Sequence, residues 1–349
     1  MRKLQVLGVL LAVRLASCAA CATADDATSR FEHVLRELKS SAPGDGLIAG
    51  EWYLVSLSMA GIAAHQLGRR EELHWLAARA LDADVRALDT RTWGSDALAT
   101  LDGPQGHAGY LGHLGLLLGL ECGEAHAGVR RRVLAALERR YAAAADALLE
   151  TYPGQKWIPD NAVTLAAVAV GARCEGREVP AKGWLARWPR EAASGVLKFT
   201  PRAGPRASGS GWSSLYLHFV DAEVARAQYA AAERLFLFDA VPGLAAWREY
   251  PPGVEGSGDV DSGPLVFGLS PSGTGFALAG ATLYGRPSRA GMLRTAEVAG
   301  FTAPWGGRHY LFAPLVGEAA VLAARTLRRG DSDRELEVAG ASASTAQPR

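Results

Sequence analysis

The sequence predicts an all-α protein: an (α/α)6 toroid, or six-hairpin barrel, with short β-hairpin loops on its rim. Two observations carry that expectation. Apolar residues recur at helical spacing in segment after segment of the 349-residue chain, and several of these segments stop at a glycine. The segments also alternate in character. First members of each pair are apolar nearly all round and rich in Gly, Ala and Ser, whereas second members are amphipathic, with Arg and Glu. A helix apolar on every side is buried, and an amphipathic one shows a face to water. Such pairs in series make an inner ring of helices inside an outer ring, with an irregular helical bundle as the plainer arrangement of the same elements.

Taken in order, residues 48–67, "IAGEWYLVSLSMAGIAAHQL", form the first buried helix and stop at Gly68, with residues 71–88 as its partner. After a loop rich in Asp and Gly, 106–120 ("GHAGYLGHLGLLLGL") pairs with 127–150, which is dense in Arg and Glu. Residues 158–172 pair with a helix near 179–194. Residues 210–220 pair with 221–237, where Asp221 is a natural N-cap. Residues 272–285 pair with 288–299, and 314–329 closes the series. The segments "GVLKFT" (195–200) and "RHYLFAP" (308–314) suit small rim hairpins.

The ends read differently. "MRK" followed by "LQVLGVLLAV" has the basic and short apolar regions of a signal peptide, too short to span a membrane. "LASC" resembles a bacterial lipobox, which makes Cys18 the lipidated first residue; ordinary cleavage after Ala24 is the alternative. The domain plan is a signal peptide over 1–17, a linker over 18–28, the barrel over 29–335 and a disordered tail over 336–349. Either cleavage carries the chain out of the cytoplasm, lipid-anchored in the envelope and facing the periplasm, or secreted. Cleavage before Cys18 takes Arg2, Lys3 and Arg14 with it. The +1 net charge of 37 Lys and Arg against 36 acids then becomes a slight acidic excess, which excludes a basic nucleic-acid footprint. Membrane association is expected only through the N-terminal lipid. Cys122 and Cys174 remain; the compartment permits their pairing, but two free thiols are the expectation, and their spacing is no metal motif.

One stretch stands out chemically. "EGSGDVDSGP" (255–264) places two aspartates two apart in a glycine-rich loop, just after "WREYPPG". In a toroid the loops preceding the inner helices gather at one mouth. Tyr110 and His113, Trp157, Asp160 and Asn161, Trp212, and the segment Arg248-Glu249-Tyr250 through Asp259 and Asp261 are then neighbours. Aromatic walls with a few polar tips describe a small-molecule pocket.

The order and wording of these segments resemble linalool dehydratase/isomerase and its relatives, over roughly half the chain from Gly109 to Gly285. "GHLGLLLGL", "PDN" (159–161) and "WREYPPGVEGSGDVDSG" are similar to that family's Gly-His-Leu helix, Pro-Asp-Asn turn and Arg-Glu segment with its aspartate pair. The resemblance implies the (α/α)6 barrel, an active-site role for His113, and a polar segment at Arg248, Glu249, Asp259 and Asp261. It leaves homo-oligomeric assembly open. Trp157 and Ala166 stand where the family has its two cysteines, and no counterpart of its early Asp and Tyr pair is found, so linalool chemistry itself is not implied.

The expected function is therefore acid–base chemistry on a small hydroxylated molecule by a lyase or isomerase, which needs a donor and a base on opposite sides of one carbon. Asp261, His113 and Asp160 divide those roles, with Asp259 orienting its neighbour or taking an Arg248 fork, and Glu249 beside it. Trp157, Asn161, Trp212, Tyr110, Arg248 and Tyr250 contact substrate. A carbohydrate-active enzyme and a non-catalytic binding lipoprotein are the alternatives. The plainer readings are a core His113, a helix-capping Asp160, core tryptophans, a rim ion pair at Arg248 and Glu249, and a "GDVDSG" that only shapes its turn. No phosphate loop, zinc or dinucleotide motif is present, and "GLSPS" (268–272) misses a nucleophile elbow, so no cofactor and no metal are expected.

Overall fold

Burial separates the helices into the two kinds that the sequence implies. In the computed structural model, which describes residues 24–44, 47–303 and 308–328, the elements are all helical apart from two short hairpins. The buried helices are α2 (Leu47–Gln66), α5 (Ala108–Glu121), α7 (Ile158–Cys174), α9 (Ala207–His218), α11 (Pro271–Leu283) and α13 (Leu315–Thr326). All of α9 is buried, and so is α5 from Tyr110 through Leu120. Around them lie α1 (Ala24–Ser40), α3 (Arg70–Ala80), α6 (Ala127–Ala143), the short α8 (Ala181–Leu185), α10 (Ala222–Phe236) and α12 (Ser288–Gly300). A further short helix, α4 (Ala87–Trp93), touches α2.

Packing follows the chain. Helix α2 lies against α5, α5 against α7, α7 against α9, α9 against α11, α11 against α13, and α13 against α2. Each outer helix covers one or two of these: α3 covers α2 and α5, α6 covers α5 and α7, and α1 covers α13 and α2. Glycine in α5 is a matter of helix spacing. A Cβ at Gly112 would stand 3.0 Å from the Thr164 backbone nitrogen, and one at Gly119 3.0 Å from that of Gly171, so the α5 stripe lets α7 approach closely. Gly112→Ala is expected to cost about 1–3 kcal/mol through overpacking. Urea unfolding checks this, and an unchanged midpoint would mean that α7 yields freely.

The helix ends differ from expectation where side chains offer the backbone another partner. The run 71–88 breaks after Ala80, because Asp82 and Asp84 turn back onto Arg79 and Asp84 accepts from Val85 N. The run 127–150 stops at Ala143. Beyond it Asp146 accepts from Leu148 N, and Asn161 takes both the N–H and the C=O of Leu149. Helix α8 covers only five residues of 179–194. The Asp221 cap is present, its carboxylate accepting from Val224 N at 2.8 Å, and Ser270 caps α11 in the same way. "RHYLFAP" supplies β4 (His309–Tyr310), paired with β3 (Thr302–Ala303). "GVLKFT" contributes only the single bridge Leu197 to Arg190. The hairpin β1 (Leu237–Phe238) with β2 (Ala246–Trp247) is additional.

Helix α1 is also additional. Its Phe31, Val34 and Leu38 are buried, and its Arg30 and Asp26 enter a buried ion network with Glu297 and Arg325, tying the first described helix to α12 and α13. Cys122 and Cys174 are joined as a disulfide, correcting the expectation of free thiols. The ends of α5 and α7 bring their Cα atoms to 5.7 Å, within bonding reach. Reduction removes a cross-link closing 52 residues and is expected to lower stability by about 2–4 kcal/mol. Denaturant titration with and without reductant measures it; coincident curves would show that the link adds nothing. No helix among the described residues is long and apolar enough to cross a membrane. The signal region with Cys18, and the tail from 336, lie outside the described residues.

Candidate active site

A cavity of about 200 Å³ opens where the N-terminal halves of α2, α5, α7, α9 and α11 converge. Helix α2 supplies Glu51, Trp52 and Val55; α5 supplies Tyr110 and His113; α7 supplies Pro159 and Asp160; α9 supplies Ser208 and Trp212; α11 supplies Phe276. Trp157, Phe199, Thr151 and Tyr152 come from the turns between them, and the 255–264 loop brings Val260 and Asp261. The walls are largely aromatic and aliphatic, with carboxylates set into them.

Three carboxyl groups dominate the chemistry. Asp160, half-buried in the first turn of α7, is pushed up to about 8, first by desolvation and then by the charges of Glu51 and Asp261; the Thr151 hydroxyl opposes the shift. Glu51 is raised, mainly by burial, although it accepts a 2.6 Å hydrogen bond from the Tyr152 hydroxyl. Asp261 is pushed up to about 6 by burial and by Asp259, against the pull of Arg206. Near neutral pH, Asp160 therefore holds its proton while Asp261 has mostly lost its own.

His113 faces the same cavity but is no cationic acid. Burial lowers it to about 3, and Nδ1 shares a hydrogen bond with the Ser58 hydroxyl at 2.7 Å. Its ring meets Trp212 and Tyr216 edge-on. The Tyr110 hydroxyl donates to Ala80 O, and the Trp212 Nε1–H donates to Pro159 O, so both present rings to the cavity and spend their polar atoms elsewhere.

The Asp261 loop is held from outside the cavity. The Asp259 carboxylate accepts from the backbone N–H groups of Asp261 and Ser262 and takes both Nη atoms of Arg206 at 2.7 and 2.8 Å. Burial resists ionisation of Asp259, but that fork and the Ser262 contacts outweigh it and bring the carboxyl down to about 2. The fork expected from Arg248 thus comes from Arg206, and the Arg248 guanidinium lies over the Phe238 ring instead. "GDVDSG" does shape its own turn, and in doing so aims Asp261 inward.

Several expected site residues do not line the cavity. Asn161 is fully buried with its amide committed to Leu149 and Trp157. Glu249, also fully buried, accepts from Arg206 Nε at 2.7 Å and from the Ser208 backbone and hydroxyl. The Tyr250 hydroxyl donates to Ser257 O while its ring packs beneath Arg206. These residues, with Arg248 and Asp259, act as supports. The reading of the sequence missed Glu51, Tyr152, Arg206 and Asp89. Glu51 carried a signal, as the one carboxylate in an otherwise apolar helix. Asp89 meets the buried His107 Nδ1 at 2.7 Å, and burial raises its carboxyl. Among the described residues, the one His/Glu grouping with ligand spacing lies outside this cavity.

No protein-family model matches the chain, and no curated protein matches it.

Proposed function

We propose that this chain is an exported (α/α)6 toroid whose mouth is an acid–base site without a cofactor, acting as a lyase or isomerase on a small, mainly apolar hydroxylated molecule. The succession of buried helices, each packed on the next and α13 packed on α2, supports the toroid, with α1 as the outer partner of α13. The observation that carries the chemistry is one cavity lined by both Asp160 and Asp261, whose different surroundings raise one carboxyl to about 8 and the other to about 6, so that the first serves as acid and the second as base at neutral pH.

In a dehydration, the Asp160 carboxyl gives its proton to the substrate hydroxyl and the C–O bond breaks with loss of water. The Asp261 carboxylate takes a proton from the adjacent carbon, whose C–H electron pair becomes the new C=C bond. Allylic isomerisation returns water at another carbon. Glu51, bonded to Tyr152 and close enough to feel both aspartates, is the group through which the proton returns.

The lining favours an apolar body with few hydroxyls. Tyr110, Tyr152, His113, Asp89 and Ser208 all spend hydrogen bonds on protein partners, and a sugar ring would bury hydroxyls left unanswered. One observation supports a carbohydrate substrate instead: the half-buried Trp157 ring in the cavity lining, edge-on to Phe199, a platform of the kind a sugar face stacks on.

The test is mass-spectrometric turnover by the mature chain against pooled terpenoid alcohols and, separately, oligosaccharides. Loss or migration of water in the first pool supports the proposal. Cleavage in the second overturns it in favour of a glycosidase, and no turnover in either favours a binding protein. With a substrate in hand, kcat/KM is expected to be bell-shaped, rising through about pH 6 as Asp261 ionises and falling through about pH 8 as Asp160 does. A profile flat from pH 5 to 9 would contradict the role assignment.

A further inference from the structure

At the other end of α5, eight residues and about 12 Å beyond His113, a second polar cluster takes no part in the cavity. Glu121 ends the helix, His126 sits in the 3-10 turn Glu124–His126 that follows, and His74 reaches over from α3. His74 Nδ1 lies 2.9 Å from Glu121 Oε1, and His126 Nδ1 lies 3.4 Å from Glu121 Oε2. All three donor atoms fall within 4.8 Å of one another.

We infer that His74, Glu121 and His126 form a zinc site, with the fourth coordination position open to solvent. Two imidazole nitrogens and one carboxylate oxygen are a donor set that Zn²⁺ takes readily, and tetrahedral coordination sets its donors about 3.3 Å apart. Each imidazole is already near that spacing from the carboxylate, His74 on Oε1 and His126 on Oε2. Rotation of His74, whose side chain is 51% exposed, brings the three donors onto one ion.

A separate observation points to a ligand. His126 Nδ1 is buried and has no hydrogen-bond partner among the described residues, because its Glu121 contact is too poorly aligned to be one. A buried nitrogen in that state is costly and calls for an occupant. The surroundings hold the donors in place. Gly123 N–H donates to Glu121 Oε2 at 3.0 Å, the two imidazoles stack at 4.8 Å, and the disulfide fixes the next residue, Cys122, to the end of α7. Arg130, which donates to Gly123 O beside the cluster, is already answered by Glu175 at 2.8 Å. Zinc here replaces the proton shared by His74 and Glu121 and ties α3 to the α5–α6 turn. None of the three residues lines the cavity, so the acid–base site works without the ion.

The test is calorimetric titration of Zn²⁺ into the chelator-treated, oxidised mature chain made without a histidine tag. The visible spectrum with Co²⁺ reports coordination geometry independently of activity. The expected result is one Zn²⁺ per chain, a tetrahedral Co²⁺ spectrum, and affinity weakened at least about tenfold in His74→Gln and in Glu121→Gln. Glu51→Gln, in the cavity, should bind as the parent does. His74 is exposed, so its variant stays informative even if Glu121→Gln folds poorly. No binding by the parent chain, or undiminished binding by His74→Gln, overturns the inference.

Discussion

Asp160→Asn is expected to lower turnover about 10²–10⁴-fold, the usual worth of a positioned general acid, and yet to stabilise the protein at alkaline pH. Both effects have one origin. The cavity holds the Asp160 carboxyl at about 8 against an ordinary 3.8, so the folded state binds a proton that the unfolded chain has released. With a folded value above the unfolded one, its contribution to stability is whole below about pH 4, declines as pH rises, and is spent above about pH 8. The amide cannot ionise, so the variant lacks that decline and should gain at most about 6 kcal/mol on the parent between those limits. Melting temperatures from pH 4 to 9 check the second effect without a known substrate. Parallel curves for parent and variant would remove Asp160 as the protonated group. Asp261→Asn, in contrast, should remove turnover and leave folding intact.

Arg206→Ala is expected to be the most damaging single change to the frame of the site, at about 3–5 kcal/mol of stability. Arg206 joins two carboxylates. It donates to Glu249, which has no exposed surface, and forks onto Asp259, which forms the Asp261 turn. Truncation leaves Glu249 charged, buried and held only by Ser208, and it frees the loop that aims Asp261. Turnover should therefore fall further than stability alone accounts for. Adding Glu249→Gln should recover part of the stability, because the stranded charge is gone, but none of the turnover. Chemical denaturation of the single and double variants measures this. A single variant within 1 kcal/mol of the parent would show that the ion cluster is not what orders the loop.

The helices were legible in the sequence because apolar periodicity and a buried or half-buried face are the same physical fact. Helix α5 is buried along almost its whole length, as "GHLGLLLGL" implies, and α10 starts at its Asp221 cap. The 71–88 boundary failed where nearby aspartates turned back onto Arg79, and the 127–150 boundary where a distant side chain took up the backbone groups. Asn161, twelve residues on from Leu149, ends the 127–150 run, and nothing local announces it. Helix α1 was legible only as Phe31, Val34 and Leu38 amid charge, and its Asp26 and Arg30 are buried by partners some 270 to 300 residues away.

Within the site, Asp160, Asp261, His113, Tyr110, Trp157 and Trp212 were found because their loops precede buried helices. Tyr152 was missed because its worth lies in Glu51, 101 residues earlier. Arg206 was missed because it sits 43 residues before Glu249 and 53 before Asp259, while Arg248 lay adjacent and took its place in the reading. Adjacency in sequence was a poor guide to which cation answers which acid.

The central claim is that a carboxyl group in this cavity keeps its proton at neutral pH. Infrared difference spectroscopy of the parent chain against Asp160→Asn, titrated from pH 4 to 10, measures it directly. The account predicts a protonated-carboxyl band in the parent that persists at pH 7, fades through about pH 8 and is missing from the variant. A difference spectrum in which that band is gone by pH 5 would contradict it, since Asp160 would then be an ordinary ionised aspartate with no proton to give.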